Sequence, residues 1–281
     1  MSLRHATILS FILLATFLSG CNSSGGVKEG AGLEEKVITV SGRENTTIKF
    51  AYKKHANPIA HIVAFPGGKG LKGIKDGMFG IHFGNYDKWK SFTIKTRKTF
   101  HSNGFSVAVV ETPSDKKNGG LGGFRESEEH KQDIAAIIAH MKKDADVPVW
   151  LLGHSRGTVA AASQTINLGK DVVQGVVLSA SIAAGRPVDT YVPDMPLDRV
   201  YVPALVMSAE NDLCDEWTPK EAAKIIGEKL VNSPNAKVHY FKGASHHPRP
   251  QIVCKTNSAH SYGSAEYKAA DLISGFIKEN I

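Results

Sequence analysis

Short apolar runs alternate with stretches of helical periodicity along most of the chain, and this alternation leaves few folds open. Ile59–Phe65, Phe105–Val110, Val147–Leu152, Val172–Leu178 and Pro203–Ser208 are each nearly continuous in apolar residues. A strand exposed on one side would alternate, so runs of this kind predict strands covered on both faces. Between and after them come helical stretches. Glu128–Lys143 sets Ile134, Ile137, Ile138 and Met141 on one face, and Thr158–Asn167, Pro219–Leu230 and Tyr262–Glu279 predict further helices. Thr218 is expected to cap the third of these, and another helix is expected to end near Ser102. Lys237–Phe241 adds a strand. Strand-helix alternation implies a mainly parallel sheet with helices on both faces. Lys36–Val40 and Thr46–Tyr52 follow one another without a helix, so the sheet should begin with an antiparallel pair. The expectation is one α/β domain over residues 35–281.

Composition agrees with that reading. A chain of 281 residues with 42% hydrophobic and 22% charged residues can bury a full core, which excludes disorder and a polytopic membrane protein. The net charge of +7 comes from 34 Lys+Arg against 27 Asp+Glu scattered along the chain. No basic stripe or reading motif is present, so no nucleic-acid partner is expected.

Arg4 and His5 precede an apolar run, Ala6–Leu18, too short for the roughly 20 residues a bilayer span needs. It has the length of a signal-peptide core, with small residues Ser19 and Gly20 at the cleavage position. Leu18-Ser19-Gly20-Cys21 resembles the bacterial lipoprotein signal, in which the chain is cut before the Cys and that Cys is lipidated. The resemblance implies a signal peptide at 1–20 and, over 21–34, lipidated Cys21 followed by a flexible linker. It also implies export and attachment by the lipid alone, on the periplasmic side; Asn22 favours the outer membrane over the inner. In an exported domain the two remaining cysteines, Cys214 and Cys254, are expected to pair. Closing that loop of about 40 residues is worth about 4 kcal/mol in the chain-entropy model.

Gly153-His154-Ser155-Arg156-Gly157 follows one predicted strand directly and opens a predicted helix. A G-x-S-x-G turn between strand and helix holds its serine in a strained conformation at a helix N-terminus, where developing negative charge is favoured. Ser155 is therefore the candidate nucleophile. In motif and element order the chain resembles the α/β-hydrolase superfamily from about Lys36 to Ile281. The resemblance implies an oxyanion hole made by the Arg156 amide and one from Phe65-Pro66-Gly67-Gly68, which is similar to the family's His-Gly-Gly turn with Pro66 for the His. Gly68 is the expected second donor and Gly67 the alternative.

The family's order of nucleophile, acid and base puts the acid just past Pro203–Ala209, at Asp212, with Glu210 as competitor. The base stays open. His246 lies just past one strand and His260 just before the last helix, both usual places, and His247 is a third candidate. His260-Ser261-Tyr262 resembles a stretch of dienelactone-hydrolase-like members, and a Cys214–Cys254 bond would pin its loop against the acid loop, which favours His260.

Other readings are weaker. Gly68-Lys69-Gly70-Leu71-Lys72-Gly73 matches G-x-G-x-x-G but runs into a glycine-rich loop to Asn85, so no dinucleotide cofactor is expected. Lys69, Lys72 and Lys75 are expected to be solvated. Cys214, His246, His247, Cys254 and His260 lack zinc-site spacing, so no metal is expected. About two dozen residues between Leu178 and Pro203 suffice for a short lid, in which Arg186, Tyr191 and Met195 could face substrate. The expected activity is hydrolysis of a carboxylic ester, small or presented on a surface. A thioesterase, a peptidase or a non-catalytic envelope lipoprotein on the same fold are the alternatives.

Overall fold

The computed structural model describes residues 35–78, 80–84, 91–185, 188–246, 252–255 and 257–281. The expected signal peptide, Cys21, the linker, Arg186 and His247 lie outside the described residues. Contacts gather Gly32–Ile281 into one compact unit. Its strands are β1 (Lys36–Ser41), β2 (Thr47–Lys53), β3 (Ala60–Phe65), β4 (Ile74–Gly77), β5 (Gly80–Phe83), β6 (Phe105–Val110), β7 (Val149–His154), β8 (Gly175–Ser179), β9 (Ala204–Ala209) and β10 (Ala236–Phe241). The helices are α1 (Phe92–Ser102), α2 (Glu128–Asp144), α3 (Gly157–Leu168), α4 (Ala222–Lys229) and α5 (Glu266–Lys278).

Eight strands form one sheet in the order β1-β2-β6-β3-β7-β8-β9-β10. β1 pairs antiparallel with β2, and β2 antiparallel with β6; every other neighbouring pair is parallel. The expected antiparallel start and parallel body are both present. The alternation within each buried strand divides the core. On β7, Val149 and Leu151 join the cluster under α2, α3 and α4, while Trp150 and Leu152 join the cluster under α1 and α5. All four are fully buried, so a slip of one residue would exchange the two sets.

β6 and β7 lie on opposite sides of β3, so the chain reverses its direction of travel across the sheet there. Loops at the carboxyl ends of strands beside such a switch point open a crevice. Phe65 pairs with Gly153, so the turn after β3 and the turn after β7 leave the sheet side by side. The loops after β9 and β10 leave the same edge, where Ala209 pairs with Phe241.

Four local expectations are corrected. The segment after Gly67 contains a hairpin, with Ile74 paired to Phe83, and Gly68–Gly73 leads into β4 and not into a helix. Lys72 is 9% exposed and so is buried, not solvated. α4 starts at Ala222, so Thr218 is not its cap. The last helix starts at Glu266, after two 3₁₀ turns at Ala259–Ser261 and Gly263–Ala265. The segment expected as a short lid seats Val192, Met195, Leu197 and Val200 in the core, and Tyr191 packs against it.

Candidate active site

Ser155 sits at φ +55°, a conformation L-residues adopt rarely and at a cost. Its amide donates to the Ser179 carbonyl at 2.9 Å, and its carbonyl accepts from the Thr158 amide at 2.9 Å and hydroxyl at 2.6 Å. The flanking glycines make this packing possible. A Cβ on Gly157 would lie 2.0 Å from the Phe65 carbonyl oxygen, and one on Gly153 would lie 2.5 Å from Thr158 Cα. The strand, the helix and the turn after β3 thus approach too closely for any side chain. Ser155 itself remains partly exposed at the sheet edge.

His260 and Asp212 come together. Nδ1 of His260 lies 3.3 Å from Asp212 Oδ2 and 3.1 Å from Thr218 Oγ1. These partners assign Nδ1 the proton and leave Nε2 as the ring's base. Asp212 Oδ1 accepts from the Cys214 amide at 2.9 Å, and Cys214 is joined to Cys254 with Cα atoms 4.8 Å apart. The expected Cys214–Cys254 staple is therefore present. The next residues continue the anchoring. Ser261 Oγ is 3.3 Å from His154 Nε2, and the Tyr262 hydroxyl is 2.7 Å from Ser179 Oγ. His154 stacks at 5.0 Å from the His260 ring, and burial, with the charges of His260 and Lys72, holds its pKa well below the usual range.

His246 stands elsewhere. It is exposed, and its Nε2 lies 3.1 Å from Asn211 Nδ2. The Ser264 amide donates to Ser245 Oγ at 3.0 Å, which ties the residue before His246 to the residues just past His260-Ser261-Tyr262. His260 meets Asp212, whereas His246 meets Asn211. Glu210 is also exposed and ion-pairs with Lys242, away from His260.

On the other side of Ser155 lies Pro66-Gly67-Gly68. A Cβ on Gly67 would sit 2.9 Å from Ser155 Cβ. Lys72 Nζ donates to the Gly67 carbonyl at 2.9 Å, and Arg125 Nη2 donates to the Gly68 carbonyl at 2.6 Å. Arg125 also pairs with Asp189 at 2.9 Å, and Asp189 takes a second guanidinium, Arg156, at 2.7 Å. Burial lowers the Arg125 pKa to about 10, so it stays charged at neutral pH. Among the described residues the amides of Gly68 and Arg156 donate to no protein acceptor.

No protein-family model matches the sequence, and no curated protein matches it. Solved structures do match. A dienelactone hydrolase from Anabaena variabilis is 14% identical with a TM-score of 0.61, over 88% of this chain and 98% of that one. Est1E from Butyrivibrio proteoclasticus is 12% identical with a TM-score of 0.55, over 87% and 98%. An acylaminoacyl peptidase from Pyrococcus horikoshii is 13% identical with a TM-score of 0.59, over 90% of this chain and 42% of that one. The fold is that of the α/β-hydrolases.

Within this α/β-hydrolase fold, Ser155, Asp212 and His260 share the carboxyl edge of the sheet with Gly68 and Arg156. Sequence reasoning missed the residues that hold them. Thr218 was read as a cap because Pro219 follows it. Arg125 and Asp189 are separated by 64 residues and carry no motif. His154 occupies a variable position of the serine turn, and nothing local marks it as a buried neutral imidazole.

Proposed function

We propose that this protein is a serine hydrolase that cleaves a carboxylic ester through an acyl-enzyme. The observation that carries the reading is a strained serine on a strand-helix turn beside a buried His-Asp pair, with Nδ1 and Oδ2 3.3 Å apart. Ser155 Oγ attacks the acyl carbonyl carbon while His260 Nε2 takes its proton. Asp212 and Thr218 hold the ring by Nδ1 and steady the imidazolium. The amides of Arg156 and Gly68 stabilise the tetrahedral oxyanion, Gly67 being the alternative to Gly68. His260 then returns its proton to the leaving alcohol oxygen. Water, deprotonated by the same nitrogen, releases the acid and restores Ser155. Among the described residues Ser155 Oγ and His260 Nε2 have no hydrogen-bond partner, and such bonds often close only around substrate.

The substrate class proposed is a small or surface-presented acyl ester, reached through a crevice whose neighbouring segment is seated on the core. The proposed location is the cell envelope, with Cys21 lipidated after removal of residues 1–20. Metabolic labelling with a palmitate analogue, lost in Cys21→Ala, tests that part.

Hydrolysis of short-chain p-nitrophenyl esters tests the chemistry. Ser155→Ala and His260→Ala should each lower kcat by about 10³-fold or more with the fold retained, and His246→Ala should stay within about twofold. Loss in His246→Ala with His260→Ala active would move the base. Failure of a fluorophosphonate to label Ser155 in the wild type would sink the hydrolase reading.

A further inference from the structure

Both carbonyls of the Gly67-Gly68 turn are bound by buried cations, which is unusual company for a main-chain turn. Lys72 Nζ reaches the Gly67 oxygen at 2.9 Å, and Arg125 Nη2 the Gly68 oxygen at 2.6 Å. Lys72 is 9% exposed, and the Arg125 side chain 1%. Burying an ammonium is costly, and surface lysines usually avoid it. Lys72 is held there from its own backbone. Its amide donates to Glu111 Oε1 and that of Ile74 to Glu111 Oε2, both at 2.8 Å, and Glu111 follows directly on β6. A three-residue segment is thus fastened to a buried carboxylate so that its lysine points at one peptide oxygen.

That oxygen belongs to the peptide whose nitrogen is Gly68. Among the described residues no peptide is cis, so the Gly68 N–H points opposite to the Gly67 C=O. A donor that fixes the carbonyl therefore fixes the amide. A positive donor also draws density from the peptide, which makes its N–H a stronger donor, and adds its own field where negative charge develops. The Lys72 charge is felt within the site, since it contributes to lowering the pKa of His154.

We propose that Lys72 is a positioning residue for the oxyanion hole, orienting and polarising the Gly68 amide through the Gly67 carbonyl. Arg125 secures the following carbonyl, so the turn cannot rotate about its two glycines. The inference rests on the serine-hydrolase reading.

The test measures ester hydrolysis and the rate of Ser155 labelling by a fluorophosphonate, whose P=O occupies the same hole. Lys72→Met should lower kcat and the labelling rate together by about 10- to 100-fold, less than or equal to the loss of an oxyanion donor itself, with KM changed less than about threefold. Lys72→Arg, which keeps charge and donor, should stay within about threefold of wild type. A merely structural lysine would raise KM or lower the melting temperature without a parallel loss of kcat and labelling. Lys72→Met within twofold of wild type would overturn the proposal, as would equal losses in Lys72→Met and Lys72→Arg. If Lys72→Met does not fold, Lys72→Arg against Lys72→Gln makes the same decision: charge-dependent kcat supports it, equal kcat overturns it. A wild type that the fluorophosphonate leaves unlabelled would bring down the hydrolase reading, and this inference with it. A labelled wild type with an equally labelled Lys72→Met would bring down this inference alone.

Discussion

The two walls beside Ser155 are held by different physics. On the base side, His260, Ser261 and Tyr262 are fixed by a hydroxyl, a neutral imidazole, a second hydroxyl and the Cys214–Cys254 bond, with Asp212 supplying the charge. On the Gly67-Gly68 side, which the proposal makes the oxyanion hole, Lys72, Arg125 and Arg156 meet Asp189 and two peptide oxygens. The difference fits what the proposed mechanism would ask of each wall. A base that changes charge in every turnover works best among partners that do not. A site that must stabilise an oxyanion benefits from fixed positive charge that needs no reorganisation.

The comparison predicts that the charged wall is the more brittle. Arg125→Met would leave Asp189, whose side chain is fully buried, with the Gly123 amide and Arg156 alone, and the Gly68 carbonyl without its donor. Breaking a buried pair from one side costs about 3–5 kcal/mol, and urea unfolding should show a loss of that size. Arg125→Met with Asp189→Leu should recover part of it, because a buried carboxylate then no longer has to be held with only the Arg156 guanidinium and one amide beside it. A single-variant loss below about 1 kcal/mol would mean the network contributes little.

The covalent wall should give way more gently. Cys214→Ser with Cys254→Ser removes a constraint on the unfolded chain, worth about 4 kcal/mol at most in the chain-entropy model and typically about 2–4 kcal/mol for disulfides in general. The Asp212–His260 contact would survive, because Thr218 and the Cys214 amide still hold both partners. The expected result is a stability loss smaller than that of Arg125→Met and a kcat within about tenfold of wild type. A larger loss than Arg125→Met would reverse the ranking of the two walls.

The same division explains what was legible in the sequence. The buried strands, the serine turn and the loop of Asp212 are local patterns, each contained in ten residues or fewer; the strands lie within about three residues of their expected bounds, and the turn and the loop follow β7 and β9. The base is ambiguous in sequence because the partners that separate the candidates, Asp212 and Thr218 for His260 and Asn211 for His246, are tertiary contacts that no spacing reveals. A lysine among glycines reads as solvated loop, whereas the Lys72 amide meets Glu111 just past β6 and its ammonium meets the Gly67 carbonyl, contacts that no local pattern announces. Thr218 precedes a proline as helix caps do, yet α4 begins only at Ala222, which frees its hydroxyl for His260. The neutral wall was partly readable through its cysteines and the His-Ser-Tyr stretch. The charged wall was not, since a salt bridge between distant positions leaves no periodicity.

The smallest expected effect is one that both walls share. Each rests on a buried histidine kept neutral. His130 Nδ1 donates to the Arg125 carbonyl at 3.1 Å while Nε2 is buried without a partner, and the rings of Phe65 and Phe124 enclose it. Burial lowers its pKa from 6.5 to about 4; the charges of Arg125 and Arg43 add to the shift, and the Arg125 carbonyl and Asp189 oppose it. His154, under His260, is lowered by burial in the same direction. Above pH 6.5 neither state binds these protons, and the stability is complete. As the pH falls from 6.5 to about 4 the unfolded chain takes them up while the folded one does not, so stability is lost. One such group supplies at most about 1.4 kcal/mol per pH unit, and on the order of 3 kcal/mol across the window. His61, His101 and His239 share the direction, so the diagnostic is a difference between variants and not the wild-type slope. His130→Asn, which keeps a donor near the Nδ1 position, should remove about one proton from the pH dependence between pH 5 and 6 while leaving esterase activity within about threefold. His154→Asn should remove a similar proton but also lower kcat, because its ring lies 5.0 Å from the His260 ring and anchors Ser261. A slope unchanged by His130→Asn would mean that His130 is reached by water, and the charged wall would then be less sealed than its burial implies.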